Sequence, residues 1–220
     1  MKGLVVYCAD VGSIQNSKFG WARGSVGGSG TKPCEGGSIG DLVKEIKENL
    51  SNDVPVALGF ECPLFAPLRD EPRKLSKARD GEGNRPWSAS AGACSLATGL
   101  SQIPWMLRKI KPDVSTPPKP FLDWETFCCS GSGLFLWEAF VSGDAKAEKG
   151  TATSRQRDAA IAVQWFIDHA DDPPAMNAVA EDKVFSLLGA ALLRTGWSRD
   201  LALLEESCLV LRAGPRIPPG

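Results

Sequence analysis

The chain has 220 residues, of which 43% are apolar, enough to bury a sizeable core and to predict a globular protein. Lysine and arginine total 25 against 26 acidic residues, so the net charge is −1 and no overall field attracts a polyanion or a membrane surface. No apolar stretch approaches the roughly twenty residues that cross a bilayer, and no leader-like segment opens the chain, so we expect a soluble, cytoplasmic protein without a membrane partner.

The cysteine and histidine content of the chain argues against several classes of metal and catalytic site. Seven cysteines occur without CxxC or Cys/His ligand spacing, which predicts reduced thiols and argues against a structural zinc site. The single histidine, His169, follows an expected helix. This composition argues against His-dependent catalytic triads, histidine-rich zinc centres and haem sites. Carboxylates remain the plentiful reactive groups.

The first part of the chain predicts three strands and a helix. Residues 3–9 form an apolar run that ends at Asp10, residues 19–25 follow a polar turn, and residues 31–38 give a weaker third strand. Together these strands predict an antiparallel meander. Apolar positions at helical spacing then indicate a helix over residues 39–50.

A fourth strand and an insertion follow. Residues 54–61 predict a buried strand that ends at Glu61, and Pro63 prevents its simple continuation. Residues 64–120 are rich in proline, glycine and serine, with short helices expected at 93–100 and 103–110. We interpret this stretch as a helical insertion after the fourth strand.

The remaining chain predicts two strands and two helices. A strand over 134–141 carries Glu138, and a helix capped at residue 153 or 154 extends to about residue 170. The strongest helical pattern covers 177–195 and includes Asp182, and a last strand is expected at 208–212. The prediction is one α/β domain over residues 1–212, with a flexible tail at 213–220.

Four acids are the candidate functional residues. Asp10, Glu61 and Glu138 each share a strand face with apolar residues, and Asp182 shares a helical stripe with small side chains. Clustered carboxylates require cations, and a pair of Mg²⁺ ions about 4 Å apart can activate water against a phosphodiester. Taken singly, each acid also fits a plain role as a turn acceptor, a loop cap, an arginine partner or an exposed helical acid.

The order of these elements and acids resembles the ribonuclease-H-like fold, a mixed sheet of about five strands flanked by helices. More narrowly, the chain is similar to a family of predicted nucleases, the domain of unknown function 429. The segments that carry the likeness are ADVG at 9–12, FGWA at 19–22, GFECPL at 59–64, WEAF at 137–140 and EDKVF at 181–185. They span most of the chain outside the insertion.

The resemblance implies a metal-dependent phosphodiester hydrolase that uses Mg²⁺ or Mn²⁺. It implies metal ligands at Asp10, Glu61 and Asp182, with Glu138 as a further catalytic carboxylate. Two features depart from the pattern: Glu61 stands where such families more often show aspartate, and Glu181 is an alternative to Asp182. The same fold also supports noncatalytic binding or scaffold proteins and enzymes that transfer phosphate to a small molecule.

The insertion is the basic segment of the chain. Between Pro63 and Pro112 there are nine lysine or arginine residues and four acids. If this segment flanks the carboxylates, it offsets their repulsion of a phosphate backbone, which makes nucleic acid the expected partner and Arg79 and Arg85 the expected substrate-binding residues. A solvated loop whose charges pair with surface acids is the alternative.

Overall fold

The computed structural model describes residues 3–28, 32–83, 86–114, 117–141 and 152–214. Nine strands are described, β1 to β9 in chain order: Val5–Asp10, Gly20–Ser25, Cys34–Gly36, Val56–Phe60, Phe65–Pro67, Pro120–Phe121, Leu134–Val141, Val184–Ser186 and Leu209–Ala213. Five α-helices are described, α1 to α5: Ile39–Ser51, Ser90–Ile110, Trp124–Ser130, Ala152–Asp168 and Leu187–Arg194. The protein is therefore an α/β protein with helices flanking a mixed sheet.

Seven strands form the main sheet, in the order β3-β2-β1-β4-β7-β6, with β9 also paired to β7. The early meander is antiparallel, as predicted, whereas β1, β4 and β7 run parallel to one another. The outer edge of the long strand β7 is shared by two parallel strands: β6 pairs with its first residues and β9 with its last. Strands β1, β4 and β7 are apolar along almost their whole length because helices cover both sheet faces.

Alternation along the strands divides the core into two layers. Tyr7, Leu58 and Leu136 point to the side occupied by α1, α2 and α5. Cys8 and Trp137 point to the opposite side, against α4. The sheet lies between the two layers, so the direction of a side chain at a strand end decides which set of helices it meets.

The insertion contains one long helix in place of the two short ones predicted. Helix α2 runs through Pro104, which removes one intrahelical hydrogen bond. Buried residues on both sides of the proline, Gly99 and Ile103 before it and Leu107 and Ile110 after it, hold the two parts together in the core. Packing therefore overrides the local preference that led to the prediction of a break.

The prediction of a helix over 177–195 is wrong in its first half. Residues 184–186 form strand β8, which pairs antiparallel with β5 in a separate two-stranded sheet. Helix α5 begins only after Ser186, whose hydroxyl accepts a hydrogen bond from the Gly189 backbone N–H at 3.0 Å. The apolar residues that produced the helical pattern are thus divided between a strand and a shorter helix.

The last predicted strand is confirmed as β9, and the first helix as α1, which Ser38 caps through the backbone N–H of Asp41. Of the predicted tail, residues 215–220 lie outside the described residues. Among the described residues, no helix combines the length and apolar character needed for a bilayer crossing.

Candidate metal centre

Two of the predicted acids meet at the carboxyl ends of neighbouring parallel strands. Asp10 is the last residue of β1, and Glu61 directly follows β4. The backbone N–H of Glu61 donates to the Ala9 carbonyl at 2.8 Å, which continues the pairing of the two strands by one residue. By alternation from Cys8 and Gly59, both acids lie on the α4 side of the sheet.

Helix α4 brings a third acid that was not predicted. Carboxylate oxygens of Asp10, Glu61 and Asp158 all lie within 4.8 Å of one another. Asp10 and Asp158 are buried, at 5% and 6% exposure, and Glu61 is partly exposed. We refer to these three residues as the carboxylate group. Its donors are all oxygens, which suits hard divalent cations such as Mg²⁺ and Mn²⁺.

A small residue on β2 allows α4 to approach the sheet closely. A Cβ atom at Gly20 would lie 2.6 Å from the backbone carbon of Arg155 and 2.6 Å from the backbone nitrogen of Gln156. Helix α4 therefore packs directly on the backbone of β2, one turn before Asp158. This close packing brings the Asp158 carboxylate to the ends of β1 and β4.

One cation of the chain already contacts the carboxylate group. Nη1 of Arg155 lies 2.6 Å from Oδ1 of Asp10, and the Arg155 side chain is 35% exposed. Arg155 therefore gives the carboxylate group one positive partner within the chain. The negative field extends to the buried Cys8 thiol, whose pKa is raised well above its usual value by burial first and then by the charges of Glu61 and Asp10.

Glu138 lies on the other side of the sheet. In the register of β4 and β7 it pairs with Phe60, which belongs to the layer beneath α1, α2 and α5. Its carboxylate receives two hydrogen bonds from the Arg79 guanidinium, at 2.5 and 2.8 Å, and one from the Leu64 backbone N–H at 2.9 Å. The structure therefore does not bring Glu138 to the carboxylate group.

Arg79, one of the two expected substrate-binding residues, is 2% exposed. Besides Glu138, it contacts Glu82 at 3.1 Å and lies over the Phe65 ring at 4.6 Å. Burial and these partners correct the expectation of an arginine at the surface: this side chain holds the insertion to the sheet. Arg85 lies outside the described residues.

Asp182 is exposed and lies in the loop before β8, because the helix predicted to carry it does not form there. The alternative residue, Glu181, forms an ion pair with Arg69 at 2.5 Å and accepts a hydrogen bond from the Asp80 backbone N–H at 2.8 Å. Neither belongs to the carboxylate group. Elsewhere in the insertion, Lys74 pairs with Glu71 at 2.6 Å on the surface, as the solvated-loop alternative expects.

The missed ligand candidate does leave a signal in the sequence. The buried face of α4 includes Ala159, Ala162 and Val163, and Asp158 precedes Ala162 by one helical turn. A carboxylate on the apolar face of a helix is unusual enough to mark a candidate site. Arg155, one turn before Ala159, is a second charge on the same face.

Comparison with protein-family models, curated proteins and solved structures finds no match.

Proposed function

We propose that the protein is a metal-dependent phosphodiester hydrolase whose metal ligands are Asp10, Glu61 and Asp158. The observation that carries this proposal is the convergence of three carboxylate oxygens within 4.8 Å at the carboxyl ends of β1 and β4. Two of the three are buried, and a group of oxygen ligands held this close together suits a hard divalent cation. Asp158 takes the place that the sequence resemblance assigned to Asp182.

The order of the strands supports a ribonuclease-H-like arrangement as part of this proposal. An antiparallel meander comes first, and β1 then pairs in parallel with β4, which pairs in parallel with β7. Acids at the ends of the first and fourth strands and on a packed helix complete the arrangement. The sequence resemblance implied the same order with a different helical acid.

Mg²⁺ or Mn²⁺ held by Asp10, Glu61 and Asp158 would supply the activation of a water molecule and the stabilisation of the leaving oxygen of a phosphodiester. The chain's own residues would hold the ion and set its position. Asp10 and Glu61 are fixed by the pairing of β1 with β4, and Asp158 by the packing of α4 on Gly20. Nη1 of Arg155 donates to Oδ1 of Asp10 and to the Val11 carbonyl, the latter at 2.9 Å, so a bound ion would share Asp10 with this arginine.

A cleavage screen tests the proposal. Single- and double-stranded DNA, RNA, a DNA–RNA hybrid and bis-p-nitrophenyl phosphate are incubated with Mg²⁺, with Mn²⁺ and with EDTA. We expect cleavage of at least one substrate that requires metal and falls about a hundredfold or more in Asp158→Asn, because a metal ligand is lost. Asp182→Asn is the matched control and should retain the wild-type rate. Equal rates in wild type and Asp158→Asn contradict the proposal.

One observation favours a second candidate, a noncatalytic binding or scaffold protein. The guanidinium of Arg155 already gives Asp10 a positive partner within the folded chain. If this pairing alone balances the site, Mn²⁺ will leave the thermal unfolding temperature unchanged, and no substrate in the screen will be cleaved. Stabilisation by Mn²⁺ that is lost in Asp158→Asn favours the metal centre instead.

A further inference from the structure

A pocket lies on the other side of the sheet from the carboxylate group. It has a volume of about 270 Å³ and opens between α2, α5 and the chain that follows β4. Leu64, Leu96, Ile103 and Leu188 contribute apolar walls. The pocket is therefore formed by the insertion and the late helix together.

Small residues on the facing helices keep this space open. Gly99 on α2 and Ala190 and Ala191 on α5 line the pocket. A Cβ atom at Gly99 would lie 2.8 Å from Sγ of Cys62, so a larger residue does not fit there without movement. Because α2 and α5 contact each other elsewhere, the pocket is a partly open gap at their interface.

Large apolar side chains are exposed where the pocket opens. Leu100 is 55% exposed and Phe185 is 43% exposed, and both line the pocket. Single exposed apolar residues are ordinary on a protein surface. Two of them beside an apolar pocket extend the apolar surface that is exposed to water, which is typical of a ligand-binding groove. This arrangement favours a ligand with an apolar body.

Among the described lining residues, Arg194 alone carries a charge. It is exposed in the last turn of α5, one helical turn after Ala190, and no ion pair is found for it within the described part of the chain. A single guanidinium matches a carboxylate in charge and in its two-oxygen geometry. A phosphomonoester carries about −1.5 to −2 and would exceed that charge.

We infer that this pocket binds a small amphipathic monocarboxylate, with its apolar chain between α2 and α5 and its carboxylate on Arg194. The inference does not depend on the proposed hydrolase activity. It follows from a partly open apolar pocket with one cation at its edge, a combination that fixes the orientation of a small ligand.

Calorimetric titration of the full chain with sodium octanoate tests the inference, with 1-octanol as the uncharged probe. We expect saturable binding of one octanoate, and about fourfold tighter binding for each methylene added from hexanoate to octanoate. Arg194→Gln should weaken octanoate binding by about three- to tenfold and leave 1-octanol unchanged. Arg199→Gln, at an exposed arginine outside the pocket, is the matched control and should change neither.

A variant that fills the pocket tests whether octanoate binds there. Ala190→Phe places an aromatic ring in the pocket and should abolish octanoate binding, with folding checked by thermal unfolding. If this folded variant binds octanoate as the wild type does, or if the wild type shows no saturable binding, the inference is wrong. A concentration-dependent dimer that Ala190→Phe dissociates would also overturn it, because a second copy would then occupy the pocket.

Discussion

Nη1 of Arg155 on α4 donates a hydrogen bond to Oδ1 of Asp10 at 2.6 Å, across 145 residues of chain. The same nitrogen donates to the Val11 carbonyl at 2.9 Å, so the guanidinium joins the end of β1 to the helix that carries Asp158. In this pair the Asp10 side chain is 7% exposed and the Arg155 side chain is 35% exposed. A divalent cation at the carboxylate group must therefore share the Asp10 carboxylate with an arginine.

Replacing Arg155 by glutamine should increase the affinity for Mn²⁺ by about three- to tenfold, because a positive charge that repels the ion is removed. The same variant should be less stable than the wild type without metal, since the Asp10 carboxylate then loses its ion pair with the guanidinium. Calorimetric titration measures the affinity. Arg157→Gln, at an exposed position on the same helix, is the matched control. Weaker Mn²⁺ binding in Arg155→Gln would show that this arginine supports the ligands rather than competing with the ion.

The sequence predicted the meeting of Asp10 and Glu61 because both acids end strongly apolar strands and because the order of elements resembles a fold in which these two strands are neighbours. The sequence did not show on which face of the sheet Glu138 lies. The alternation of side chains along β7 was predicted correctly. Which face of the sheet each side chain of β7 lies on depends on the register of β7 with β4, because a shift of one residue moves every side chain to the other face. The observed register places Glu138 on the face of the sheet away from the carboxylate group.

Asp158 and Asp182 were missed or misplaced for a different reason. The sequence predicted the helix that carries Asp158, but not which strands it packs against, because that contact depends on Gly20 in a distant strand. For Asp182, helical periodicity was outweighed by the pairing of Val184–Ser186 with β5, a contact between distant parts of the chain. Local patterns therefore gave most elements but not how they pack.

Gly20→Ala should weaken both the fold and the metal site. The added methyl group would meet the backbone of α4 at 2.6 Å and displace the helix that carries Asp158. We expect a loss of about 1–3 kcal/mol in the free energy of unfolding, together with weaker Mn²⁺ binding. Urea unfolding and calorimetry measure the two effects.

Gly40→Ala is the matched control for this change. At Gly40, in the first turn of α1, the nearest atom to an added Cβ is Oγ of Ser38 at 3.6 Å, an ordinary contact. Alanine favours the helix over glycine, so this variant should be unchanged or more stable by up to about 1 kcal/mol. Equal destabilisation by both substitutions would show that close packing of α4 on β2 is not the cause.

The buried ion pair of Arg79 and Glu138 should be costly to break from one side. Both side chains are at most 2% exposed, and Arg79→Met leaves the Glu138 carboxylate with an uncompensated charge. We expect a loss of about 3–5 kcal/mol in the free energy of unfolding, measured with urea. Lys74→Met breaks the exposed Lys74–Glu71 pair and should cost no more than about 1 kcal/mol. Similar losses in the two variants would contradict the argument.

The seven thiols should separate into two classes. Cys34, Cys94, Cys128 and Cys129 are exposed, whereas Cys8, Cys62 and Cys208 are buried. Burial raises the pKa of each of these three buried thiols well above its usual value, so they stay protonated and unreactive through the mildly alkaline range. Titration with a chromogenic disulfide should label four thiols in the folded protein and the remaining three only after unfolding. Rapid labelling of all seven without denaturant would show that the core opens.

Tyr7 is the single tyrosine of the chain, so the ultraviolet absorbance of phenolate reports this residue alone. Its side chain is fully buried, and its hydroxyl accepts a hydrogen bond from Nδ2 of Asn49 at 2.7 Å. Burial, followed by the charge of Glu45, raises the pKa of Tyr7 from 10.0 to about 12. The absorbance of the folded protein should therefore change near pH 12, and that of the unfolded chain near pH 10.

The same shift predicts how stability depends on alkaline pH. Between about pH 10 and pH 12 the unfolded chain loses the Tyr7 proton while the folded protein keeps it, so the free energy of unfolding decreases as pH rises. A shift of about two pH units corresponds to about 2–3 kcal/mol, fully present below pH 10 and lost by pH 12. Urea unfolding across this range measures the decrease. Tyr7→Phe should remove this part of the pH dependence, since its ring fills the same space without a titrating hydroxyl, and an unchanged slope in the variant would assign the decrease to other groups.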